Sequence, residues 1–140
     1  MRTLGRISTA AAFAAAAAFA IAACGSSGSS SSSPSSPSSP PSDAVGGTTI
    51  TITNNVASPK NIRVSRGSQV TFVNNDTQSH NMTSDPHPEH SDCLEINSVG
   101  FLSAGQRRQT GNMVTNRAVC GFHDHDAPDV AGLQGSITIQ

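Results

Sequence analysis

The sequence contains no tryptophan and no tyrosine, and of its five phenylalanines only Phe72, Phe101 and Phe122 lie outside the first two dozen residues. That leaves no stacking platform for bases or sugars, and the three rings are expected to pack in a core or at the rim of a site. Charge is sparse, at 12% of residues, and no basic patch forms; Arg107-Arg108 reads as an exposed strand edge. Nucleic acid and other polyanions are therefore not expected partners. No convincing amphipathic helix is present, which argues against a helical bundle. A Ser-His-Asp order, a paired-carboxylate cleft and a glycine-rich phosphate loop are all missing, so the chain is not expected to be an enzyme. Cysteine is limited to Cys24, Cys93 and Cys120.

The two ends of the chain follow different rules. Arg2 and Arg6 precede an alanine-rich apolar stretch from Ile7 to Ala23, too short and too early for a stable membrane span, and residues 1–23 read as a signal peptide. Its close, Ile21-Ala22-Ala23-Cys24, resembles the bacterial lipobox, which implies that Cys24 is lipidated and becomes the N-terminus of an extracytoplasmic, membrane-anchored lipoprotein in the periplasm or at the cell surface. Residues 24–47 are almost wholly Ser, Pro and Gly, with no apolar period able to bury a face, and read as a disordered tether. Without Arg2 and Arg6 the eight basic residues fall to six against nine acidic ones, a net charge of −3.

Residues 48–140 read as one small β-domain, expected to be monomeric. Ile50 and Ile52 alternate with threonines, Ile62 and Val64 with Asn61 and Arg63, and Val70 and Phe72 flank Thr71. A period of two predicts half-buried antiparallel strands. Further strands are expected over 99–102, 107–110, 115–120 and 135–140. Turns are expected at Asn54-Asn55, Ser65-Arg66-Gly67-Ser68, Asn74-Asn75-Asp76 and Ser103-Ala104-Gly105. Many short strands without a helix indicate an all-β sandwich.

All five histidines lie between positions 80 and 125. His80 follows the Val70–Val73 strand, and Cys120-Gly121-Phe122-His123-Asp124-His125 precedes the closing Gly135–Ile139 strand. A thiolate and two imidazoles are the donor set that holds copper in electron-transfer sites. The run from Gly67 to Asp76 followed by His80-Asn81, together with Cys120-x-x-His123 and a Gly-x-x-Gly-x-Ile-x-Ile close, resembles the two halves of the cupredoxin (plastocyanin/azurin-like, type 1 copper) signature. The resemblance implies a Greek-key β-sandwich holding one copper ion, cycling between Cu(I) and Cu(II), through His80, Cys120 and His123. It also implies a one-electron carrier with a redox protein partner, in which Asn81 ties the ligand loops together.

The sequence departs from that pattern in three places. Alignment on Gly132 and Gly135 puts Leu133 where an axial methionine is expected, with Gln134 as the other axial candidate, while Met82 and Met113 read as packing residues. Cys93 is left with Cys120 in an oxidising compartment, so a Cys93–Cys120 disulfide competes directly with a copper thiolate. Finally, Asp85-Pro86-His87-Pro88-Glu89-His90-Ser91-Asp92-Cys93, held extended by its prolines, offers two histidines and three carboxylates suited to Cu(II) or Zn(II), or else forms a solvated polar loop. If Cys120 is oxidised, His125 becomes available to a secondary site with His87 and His90. That alternative is a copper-binding or copper-handling domain with a redox-silent, histidine-rich site. The string Gly121-Phe122-His123-Asp124-His125 is also similar to a copper/zinc superoxide dismutase motif, but no histidine follows His125 to complete that ligand set.

Overall fold

The protein is described by a computed structural model over residues 40–140; the segment expected to be a signal peptide, Cys24 and the expected tether as far as residue 39 lie outside the described residues. Among the described residues, ten strands form two sheets. They are β1 (Val45–Gly46), β2 (Thr49–Thr53), β3 (Val56–Ser58), β4 (Asn61–Val64), β5 (Thr71–Asn74), β6 (His80–Ser84), β7 (Gly100–Leu102), β8 (Arg107–Gln109), β9 (Val119–Asp124) and β10 (Gly135–Ile139). One sheet runs β1-β4-β10-β9-β6-β7 and the other β3-β2-β5-β8. The architecture is the expected cupredoxin-like β-sandwich.

The alternation seen in the sequence is the alternation of burial. Along β2, Ile50 and Ile52 point inward and the threonines between and beside them do not, because successive side chains leave opposite faces of a strand. Ile62, Val64, Val70, Phe72, Met82, Leu102, Met113, Phe122, Leu133 and Ile137 are among the other residues that fill the core, with the Phe72 and Phe122 rings edge to face at 5.2 Å. Phe101 is the exception among the aromatics, half exposed on the edge strand β7. Asn54 and Asn55 both adopt positive φ, as a two-residue hairpin loop between β2 and β3 requires.

Three differences from expectation bear on the fold and its site. The sheets are mixed, because β4 lies parallel to both β1 and β10, and β2 parallel to β5. The sandwich also begins before residue 48: β1 pairs with β4, Ala44 is buried, and Asp43 accepts the Asn61 amide at 2.9 Å. Most consequential for the site, β9 does not end at residue 120 but continues to Asp124.

Gly135 sits where β10 meets Phe122, and a Cβ there would lie 2.0 Å from the Lys60 carbonyl oxygen and 2.5 Å from the Phe122 ring. Neither neighbour can retreat, one being backbone and the other locked in the core. Gly135→Ala should therefore lower stability by about 2–3 kcal/mol. An unchanged urea midpoint would show that the strand can shift to accommodate a methyl group.

Candidate metal centre

The register between β6 and β9 decides which predicted ligands meet. Met82 opposes Asp124, Thr83 opposes His123, and Ser84 opposes Phe122. Directly opposed residues share a face, and faces alternate along each strand. His80, Met82, Ser84, Cys120, Phe122 and Asp124 therefore belong to the core face, whereas Asn81, Thr83, Gly121 and His123 belong to the outer face. His80 and His123 are on opposite sides of the sheet, and so are Cys120 and His123. Cys120 is also bonded to Cys93, with Sγ atoms 2.06 Å apart.

The trigonal set of His80, Cys120 and His123 is thus not assembled, and the residues do not fit a type 1 copper ion. A three-residue spacing brings two side chains together only where the strand has ended; here the strand runs through both. The axial candidates fall with it. Leu133 is buried in the core from a short 3-10 turn, and the Gln134 amide donates to the Pro128 carbonyl at 2.6 Å.

His80 has a different role. Its Nδ1 lies 2.7 Å from Asp124 Oδ2 and its Nε2 lies 3.0 Å from Asp76 Oδ2, all three side chains being nearly inaccessible. Both ring nitrogens are thus occupied by carboxylate oxygens, and neither faces open space where a metal could bind. Asp76 also accepts the backbone N–H groups of Asn54 and Asn55, which joins the β2–β3 turn to β6. Burial pushes the Asp76 carboxyl upward, but these backbone bonds and the His80 contact outweigh it and hold the group below its ordinary range. Asn81 does tie strands together, though through its backbone: its N–H donates to Asp124 Oδ1 at 3.0 Å and its carbonyl accepts the His125 N–H at 2.7 Å.

The metal-ligating residues that do meet are His87, His90, His123 and His125, each with a ring nitrogen within 4.8 Å of the others. His123 comes from the outer face of β9 and His125 from just beyond its end, two residues on and therefore on the same side. His87 and His90 come from the loop after β6. Prolines do not hold that loop extended: the His90 N–H reaches back to the Pro86 carbonyl at 2.7 Å and the Asp92 N–H to that of Asp85 at 2.8 Å, folding it into a turn. His90 takes a positive φ of 50° there, and its carbonyl accepts the Asn97 side-chain amide at 2.8 Å. The four rings stand 4.8 to 5.5 Å apart between centroids wherever two are in aromatic contact, and His125 Nδ1 is 3.2 Å from His90 Nε2. Four nitrogens around an ion at about 2.0–2.1 Å are about 3.3 Å apart in a tetrahedron and about 4.2 Å across a square plane. From a spread of up to 4.8 Å, the square-planar spacing requires the smaller contraction of the cluster and the tetrahedral spacing the larger.

Asp85 and Gly121 support this arrangement, and sequence reasoning had not separated them from their surroundings. His123 Nδ1 lies 2.6 Å from Asp85 Oδ1, which fixes the ring and makes Nε2 the metal-facing nitrogen, its contact with Thr83 Oγ1 being a long one at 3.4 Å. Asp85 reaches this position by crossing directly over residue 121, where a Cβ would lie 2.0 Å from Oδ2. Only glycine allows that approach. Asp85→Asn should weaken metal binding by about 10–100-fold while leaving the fold intact; equal affinities in a competition titration would reduce the carboxylate to a surface group.

Burial, followed by the fields of His123, His125 and His87, pushes the His90 pKa below its ordinary 6.5, with Glu89 opposing. The folded metal-free protein resists protonation there, whereas the unfolded chain does not. As pH falls below about 6.5, the unfolded state binds the extra proton first, so the stability of the metal-free protein declines through the imidazole range. Thermal melts between pH 7.5 and 5 should show this decline, and a His90→Asn variant should flatten it.

No protein-family model matches this chain, and no curated protein matches it. Solved structures do. A purple cupredoxin from Nitrosopumilus maritimus is similar at 20% identity and a TM-score of 0.53, over 67% of this chain and 100% of its own. A mutant fern plastocyanin gives 18% identity and a TM-score of 0.51, over 66% and 99%. An oxidised mutant of amicyanin gives 15% and 0.52, over 66% and 80%. Sheet order, core and these likenesses converge on one conclusion: the chain carries a cupredoxin-like β-sandwich domain.

Proposed function

We propose that this domain binds one divalent copper ion, or zinc in its place, through His87, His90, His123 and His125, and that it stores or hands on the metal rather than carrying electrons. The observation that supports this reading is the convergence of four imidazole nitrogens within 4.8 Å, with a carboxylate behind His123. Imidazole donors suit Cu(II) and Zn(II), and among first-row divalent ions Cu(II) is bound most tightly by such a set. Cu(I) favours soft sulfur, and both nearby sulfurs are committed to the disulfide. Four protein donors also leave no open position for a substrate, in keeping with a binding protein that performs no catalysis of its own.

The same proposal places the domain outside the cytoplasm, anchored through a lipidated Cys24 and spaced from the membrane by its Ser/Pro tether, as a monomer whose partner is a metal donor or acceptor. Titration of the full chain with Cu(II) tests it. One equivalent should bind with a nitrogen-type paramagnetic resonance spectrum and only weak visible absorption. An intense blue thiolate-to-copper band, or failure to bind either ion, would overturn the proposal.

A further inference from the structure

The disulfide and the histidine cluster share the same two segments. Cys93 lies three residues after His90 on the loop that follows β6, and Cys120 lies three residues before His123 on β9. The sulfur bridge therefore crosses from the segment that carries His87 and His90 to the segment that carries His123 and His125. It does so on the core face, behind the metal centre, with Cys93 and Cys120 almost fully buried. The same junction is held on the outer face by the Asp85–His123 contact at 2.6 Å and the Asp85 N–H to Gly121 carbonyl bond at 3.1 Å, and at the rim by Arg117 with Asp92 at 2.7 Å. Only the disulfide is covalent. Each segment alone supplies two imidazoles, too few for a tight site.

Building on the metal-binding reading above, we propose that the Cys93–Cys120 disulfide is a redox control on this centre: oxidised, it holds the two histidine pairs in register, and reduced, it lets the 85–93 loop lift and the metal leave. The reductant is a dithiol. It transfers two electrons and two protons, the Sγ–Sγ bond breaks, Cys93 and Cys120 each become a thiol, and the reductant closes its own disulfide. The freed thiols do not replace the lost ligands, because Cys120 is on the opposite face of β9 from His123. Metal release and bridge reduction are then two halves of one coupling, and such couplings are reciprocal. If the bridge strengthens metal binding, bound metal must protect the bridge by the same factor.

The test uses the full chain with Zn(II), which does not itself change oxidation state. Zn(II) affinity is measured by chelator competition for the oxidised protein and for Cys93→Ala/Cys120→Ala, with circular dichroism to confirm the fold. Binding about tenfold to a hundredfold weaker in the variant is expected, whereas equal affinity overturns the control while leaving the metal site standing. Failure of the oxidised protein itself to bind Zn(II) or Cu(II) overturns the metal site, and the control with it. Should the variant not fold, the reciprocal half decides. A phosphine reductant is applied with and without Zn(II), and alkylation at Cys93 and Cys120 is read by peptide mass spectrometry so that Cys24 is not counted. Zn(II) should slow reduction of the wild-type bridge at least tenfold, and this protection should vanish in His87→Ala/His125→Ala. Unchanged reduction in the presence of bound Zn(II), or protection that survives in the double histidine variant, would refute the coupling.

Discussion

His87→Ala should weaken metal binding by about a hundredfold while leaving the apoprotein as stable as before. A complete four-ligand site contributes about 10–16 kcal/mol, so each donor supplies roughly 3 kcal/mol, or about two decades of affinity. His87 isolates that effect well because it is the exposed member of the four, with no hydrogen bond recorded to its ring. His123 is a poorer choice, since truncation would leave Asp85 without its partner and open space beside β9. Adding His125→Ala to His87→Ala leaves one imidazole from each segment and should abolish tight binding. Isothermal titration with Cu(II) or Zn(II) reads both variants. Binding that survives the pair intact would mean the cluster is a set of stacked rings and no metal site.

The second large effect concerns stability. Removing the bridge with Cys93→Ala/Cys120→Ala frees a loop of about 28 residues in the unfolded chain, which on the chain-entropy account costs about 3–4 kcal/mol. Truncating two buried side chains in the core adds to that. For a domain of about 100 residues, a loss of this size lowers the melting temperature by about 15–20 °C. Differential scanning calorimetry of the variant beside the oxidised wild type measures it. A melting temperature within a few degrees of wild type would show that hydrogen bonds such as Ser84 Oγ to the Cys93 N–H, at 2.9 Å, hold the loop unaided.

Much of the sandwich was legible because burial in a strand has a period of two, and Ile50, Ile52, Ile62, Val64, Val70 and Phe72 carry it openly. Strand direction was not legible, since a parallel and an antiparallel neighbour demand the same alternation; β4 against β10 could be read either way until the register was seen. The candidate site was legible in its residue types and misread in its partners. Counting cysteines identified the Cys93–Cys120 pair as a rival to the copper thiolate, and the loop histidines stood out by composition. Asp85 did not stand out, because one aspartate among three carboxylates in nine residues carries no mark showing which of them will lie over a glycine on the neighbouring strand.

The sequence alone determined that this chain holds a small β-sandwich rich in metal-binding side chains, because periodicity and residue chemistry are local properties. Which side chains share a site was decided by tertiary structure. The continuation of β9 to Asp124 sets Cys120 and His80 on one face and His123 on the other, and a strand's end depends on what it pairs with across the sheet. That pairing sent the sulfur into the core to meet Cys93 and turned His123 outward, where His125 and the two loop histidines complete the cluster.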